Sequence, residues 1–131
     1  MKSLIVASLA VWGLFGAAAH AACVYPRAPT NIPDGETATK EQMVEANKEF
    51  KKYNDEMTAY LNCIKLESDD TIAAMSKEQP ATDEEKKALE AKKLEFERQQ
   101  TEKHNAAVDE VSAVVERFNE QVRLYKKKQS G

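Results

Sequence analysis

Cys23 and Cys63 are the only cysteines in a chain of 131 residues, and their chemistry determines how its N-terminal part is held. A zinc site needs three or four clustered ligands, which two distant cysteines do not supply. The sequence also contains no C-x-x-C redox motif. In an oxidising compartment the two cysteines most simply form a Cys23–Cys63 disulfide. Lipidation of Cys23 is the alternative, although His20 stands where a lipoprotein signal has a large aliphatic residue.

Residues 1–21 have the pattern of a cleaved secretory signal peptide. Lys2 is followed by the apolar run "LIVASLAVWGLFGAAA", and "AHA" at residues 19–21 places small side chains where signal peptidase requires them. The run is shorter than the roughly 20 residues that span a bilayer. We therefore expect cleavage after Ala21, no stable membrane anchor, and a location in the periplasm or outside the cell.

The composition of the chain after the signal argues against a nucleic-acid-binding protein. Removing Lys2 from 19 basic residues leaves 18, against 22 acidic residues, so the net charge is −4. Nucleic-acid binding normally requires a basic face. The remaining chain of about 110 residues is long enough for one domain at most.

Few residues have the spacing that catalysis or metal binding requires. His104 is the one histidine beyond the signal, and Asp69-Asp70 lacks the loop spacing of a calcium site. The sequence has no glycine-rich phosphate loop, no G-x-S-x-G and no H-E-x-x-H. We therefore predict a protein that is not an enzyme and that has no metal and no cofactor.

Residues 22–38 are predicted to form an extended, proline-rich leader. Three prolines in eight residues disfavour a helix and favour a polyproline-like path. The tripeptide Pro33-Asp34-Gly35 predicts a turn in which Gly35 has a positive φ.

The first helix is predicted over residues 40–77. Thr39 and Gln42 fit a capping box at its start, and Pro80 prevents its continuation. Apolar residues recur at alternating steps of three and four, which predicts a coiled-coil-like seam. The members of this seam are Met43, Ala46, Phe50, Tyr53, Met57, Tyr60 and Ile64.

The second helix is predicted over residues 83–127. Thr82 and Glu85 form a second capping box, and acidic residues in the first turn suit the helix dipole. Its C-terminal half has its own apolar seam, made of Ala107 or Val108, Val111, Val115, Phe118, Val122 and Tyr125.

Two long helices with a short connection predict an all-α fold, an antiparallel hairpin spanning residues 39–131. Pairing the helices about Pro80 would place Phe50 opposite Val111. The same pairing would bring Tyr60 to the level of Gln100 and His104, which is a polar interruption of the seam. This interruption is either a weak spot or a place where a ligand or partner contacts Tyr60, Gln100 and His104.

The first half of the chain resembles small exported α-helical proteins of Gram-negative bacteria. The resemblance covers about residues 22–64, and it implies a periplasmic location without implying an activity. The residues that carry it are Cys23, Pro26, Pro33-Asp34-Gly35, Thr39, Met43, Tyr60-Leu61 and Cys63.

Long charged helices with an interrupted seam favour a structural or interaction protein. Such a protein would use its helix faces to bind a protein partner or a second copy of itself, in the manner of an adaptor or chaperone. A dimer of hairpins would form a four-helix bundle. The alternative is a periplasmic protein that binds a small ligand or a metal at Tyr60, Gln100 and His104.

Overall fold

The computed structural model describes residues 22–131, which form two long helices preceded by an irregular leader. Helix α1 comprises Lys40–Ser76 and helix α2 comprises Asp83–Ser130. The two helices pack against each other as an all-α hairpin, which confirms the predicted fold class. The predicted signal peptide, residues 1–21, lies outside the described residues. Within residues 22–131, neither helix contains a stretch both long and apolar enough to cross a bilayer.

Both predicted capping boxes are present at the helix starts. The Thr39 hydroxyl accepts a hydrogen bond from the Gln42 N–H at 3.2 Å, and the Gln42 side chain accepts one from the Thr39 N–H at 2.8 Å. Thr82 and Glu85 make the equivalent pair of bonds. These bonds satisfy backbone N–H groups that lack partners within the helix. Helix α1 ends one residue before the predicted position, whereas α2 continues to Ser130 because no proline or internal glycine stops it.

The core lies between the N-terminal half of α1 and the C-terminal half of α2. Tyr53 and Met57 pack there against Ala107 and Val114. The predicted α1 seam is confirmed, since its members are buried or half-buried. On α2 the predicted seam residues Ala107 and Phe118 are buried, but the prediction missed Val114, which is fully buried, whereas Val115 is only half-buried.

The register of the two helices differs from the prediction by about two turns. Phe50 stacks on Phe118, with ring centroids 4.7 Å apart, and does not face Val111. Near the connection, the Lys93 ammonium lies 3.5 Å from the Ser76 hydroxyl. The connecting segment, residues 77–82, lies alongside the first turns of α2 and lines a groove with them. Helix α2 therefore begins beyond the end of α1, which shifts the pairing by seven residues, or about 10 Å.

The leader runs along the hairpin and turns before Thr39. The Asp34 carbonyl accepts hydrogen bonds from the N–H groups of Thr37 and Ala38, so the predicted turn is present. The role predicted for Gly35 is wrong, because no glycine in the described residues has a positive φ. Gly35 is needed for close approach: a Cβ atom there would lie 2.0 Å from the Gln121 carbonyl oxygen of α2.

Gly35→Ala is therefore expected to lower the free energy of unfolding by about 2 kcal/mol, because the leader must move away from backbone that cannot yield. Gly131→Ala is the matched control, since a Cβ there meets nothing closer than 3.8 Å. Urea unfolding of both variants measures the difference. Equal stability of the two variants would contradict the close contact.

Candidate functional site

The Cys23–Cys63 disulfide holds the leader against α1. The bond is formed as predicted, with Cα atoms 5.7 Å apart. A sulfur engaged in this bond cannot also carry a lipid thioether. Further along, the Gly35 N–H donates to the Gln121 side chain and the Lys128 ammonium donates to the Ala38 carbonyl, each at 2.8 Å. The leader is thus attached to α1 at one end and to α2 at the other.

Three tyrosines and one carboxylate meet beneath the start of the leader. The Tyr25 ring contacts the Tyr60 ring edge to face, with centroids 4.9 Å apart. The Tyr25 hydroxyl donates to the Glu110 carboxylate of α2 at 2.5 Å. The Tyr53 hydroxyl is fully buried nearby and has no hydrogen-bond partner within residues 22–131. Sequence periodicity placed Tyr53 in the core, but it did not indicate that Tyr25 and Glu110 would meet.

This polar group changes the titration of two phenols. Burial and the hydrogen bond to Glu110 raise the pKa of Tyr25 well above its usual value. Burial and the nearby Glu110 charge also raise the pKa of Tyr53. Beside the group runs an open groove of about 780 Å³ between the leader and α1, bordered by Glu49, Lys52 and Glu56. Both phenols therefore remain neutral at neutral pH, and Tyr25 joins the leader to both helices through its contact with Tyr60 and its hydrogen bond to Glu110.

Tyr25→Phe is expected to cost about 1 kcal/mol near neutral pH, because it removes one hydrogen bond and keeps the ring contact. The folded-state pKa of Tyr25 is raised, so the stability from its neutral phenol is present in full below about pH 10 and is lost as the pH rises further. Urea midpoints should therefore fall more steeply above about pH 10 in the wild type than in Tyr25→Phe. Tyr125→Phe is the control, because Tyr125 contacts Gln129 of its own helix. Parallel pH profiles for wild type and Tyr25→Phe would contradict the assignment.

The residues predicted to share a polar interruption lie at different levels of the hairpin. Tyr60 packs against the core cluster and against Tyr25. Gln100 is half-buried, and its Oε1 atom has no hydrogen-bond partner in the described chain. His104 is exposed. In the observed register Tyr60 is level with Val108, so Gln100 lies about 12 Å further along the axis. The structure therefore does not bring Tyr60, Gln100 and His104 together.

The side of the hairpin opposite the leader, here called the leader-free face, contains an uncharged groove. Thr58 and Tyr60 are two residues apart, as are Val108 and Glu110, so each pair points to nearly opposite sides of its helix. Tyr60 and Glu110 contact the leader, which places Thr58 and Val108 away from it. The groove has a volume of about 150 Å³ and is lined by Asn54, Met57, Thr58, Leu61, Val108, Val111 and Ser112.

A heptad signal for this face is visible in the sequence but is weaker than the seam. Asn47, Asn54 and Leu61 are spaced by seven, as are Val108, Val115 and Val122. These residues lie beside the buried seam, and Val108 is 39% exposed. In a chain in which 31% of residues are charged, such an uncharged stripe is a candidate contact surface. Because the valines were assigned to the hairpin seam, sequence reasoning alone did not identify this surface.

Two other observations bear on function. Within residues 22–131, there is no group of three or more histidine, cysteine, aspartate or glutamate side chains placed to hold a metal ion. No protein-family model, curated protein or solved structure matches the chain.

Proposed function

We propose that this chain is a non-enzymatic interaction protein of the periplasm, which binds a protein surface through its helix faces. The observation that supports the proposal is the leader-free face. There Leu61, Val108 and Val111 lie among uncharged polar side chains, in a chain in which 31% of residues are charged. Interface cores are depleted in charged residues in the same way.

The disulfide-linked leader contributes to this function by covering the side of the hairpin that lies opposite the leader-free face. It packs over the apolar surface around Tyr53 and Tyr60 and leaves the opposite side of the hairpin without a covering segment.

Photo-crosslinking in cells that export the chain tests this proposal. A photoreactive phenylalanine analogue at Thr58 should give covalent protein adducts, whereas the same residue at Asn62 should not. Both positions are exposed on α1, but Asn62 does not line the groove of the leader-free face. An absence of any adduct at Thr58, with the disulfide intact, would overturn the proposal.

Binding of a small ligand or a metal at Tyr60, Gln100 and His104 is the second candidate. It is favoured only by the Gln100 Oε1 atom, which has no hydrogen-bond partner among residues 22–131. The separation of the three residues along the hairpin weighs against a shared site. Calorimetric titration with zinc, with His104→Ala as the comparison, tests the metal form of this candidate. Zinc binding by the wild type that His104→Ala abolishes would support it.

A further inference from the structure

We infer that the leader-free face binds a second copy of this chain, so that two hairpins form a symmetric four-helix bundle with both leaders outside. The inference rests on the proposed function and names the partner. It follows from three properties of the face: its lack of charge, the charges at its edges, and its size.

Because the groove of the leader-free face lacks charge, two copies of the face can pack against each other without bringing like charges together there. A two-fold axis brings identical patches together, so any charged residue near the middle of the patch would approach its own copy. All seven residues that line the groove are uncharged, and Asn54, Thr58 and Ser112 are exposed polar groups able to hydrogen-bond across a dyad. On the leader side, by contrast, Glu49, Lys52 and Glu56 border the groove.

The edges of the face are complementary under one particular symmetry. Lys51 is exposed and precedes Thr58 by seven residues, so it lies on the same side of α1, and Glu116 lies beside Val115 on α2. In the observed register these two residues are at nearly the same level of the hairpin, as the Phe50–Phe118 contact shows. A two-fold axis parallel to the helices places α1 of one copy over α2 of the other. Lys51 of each copy then approaches Glu116 of the other, and this pairing occurs twice.

The size of the face indicates a weak dimer. The stripe from Asn47 to Leu61 extends about 21 Å along α1, and two helices packed 8–10 Å apart present a width of about 20 Å. Each patch covers about 420 Å², so two patches would bury roughly 840 Å² in total, which is in the range of weak, transient interfaces. We therefore expect dissociation in the micromolar range.

Sedimentation equilibrium of oxidised residues 22–131 tests the inference. The wild type should be a dimer at about 100 μM and dissociate on dilution, whereas Asn54→Lys/Ser112→Lys should weaken association by about 100-fold, because like charges would meet across the dyad. The matched control, Asn62→Lys/Ala113→Lys, adds the same charges at exposed positions outside the groove and should remain dimeric. Circular dichroism checks that both variants are folded.

Charge exchange at the edges tests the symmetry. Lys51→Glu should weaken the dimer by about tenfold, and adding Glu116→Lys should restore it. Failure of this rescue would overturn the parallel two-fold arrangement, and a wild type that stays monomeric would overturn self-association.

If a monomeric wild type still forms adducts with other proteins at Thr58, the proposed function survives and only the partner is wrong. Adducts of twice the chain mass at Thr58, together with a dimer in sedimentation equilibrium, would support both the proposed function and the second copy as the partner.

Discussion

Removal of the Cys23–Cys63 disulfide is expected to lower the free energy of unfolding by about 4 kcal/mol, which is the loss predicted from the chain entropy of the loop it closes. The two cysteines are 40 positions apart in sequence, so the bond strongly restricts the unfolded chain. Urea unfolding of the oxidised protein and of Cys23→Ser/Cys63→Ser measures the difference. Identical transition midpoints would show that the bond does not contribute to stability.

Limited trypsin digestion should show which part of the structure is released. Arg27 is the one basic residue in the leader and is exposed. Without the disulfide, the segment around Tyr25 is attached only by weak contacts, so cleavage after Arg27 should become faster. Cleavage within Lys126–Lys128 serves as the internal control and should be unchanged. Equal cleavage rates after Arg27 in both proteins would mean that the leader is held by other contacts.

Phe118→Ala is expected to cost about 3–4 kcal/mol, because it removes a buried ring from between the helices and leaves a cavity. Phe118 is buried and stacked on Phe50, whereas Phe50 is half-buried, so Phe50→Ala should cost less. Lys52→Ala is the control: its side chain is exposed and its ion pair with Glu56 is long, so the loss should stay below about 0.5 kcal/mol. Thermal or urea unfolding measures all three.

The double variant Phe50→Ala/Phe118→Ala isolates the contact between the rings. The two single losses should exceed the double loss by about 1 kcal/mol, which is typical of an aromatic pair. Additive losses would place the two rings in separate environments and would contradict the observed register.

The sequence by itself determined the helices, their starts and the disulfide. Thr39 with Gln42, and Thr82 with Glu85, act within one turn of the chain, so their capping boxes could be recognised without knowing the tertiary structure. The α1 seam was equally clear, because its seven-residue repeat places the apolar residues on one side of the helix only. The Cys23–Cys63 pairing followed from there being only two cysteines in a chain expected to reach an oxidising compartment.

Only the tertiary structure decided the register, the exact α2 seam and the division of the hairpin into a covered and an open face. The register depends on how residues 77–82 lie against α2, and no local signal encodes that path. Two adjacent apolar stripes on α2, one containing Val114 and one containing Val115, are nearly equal in sequence. Packing against α1 and the leader buried the first and left the second beside the open groove. Interactions between segments distant in sequence, such as Tyr25 with Glu110 and Gly35 with Gln121, select among such arrangements, because each becomes favourable only once the whole fold has formed.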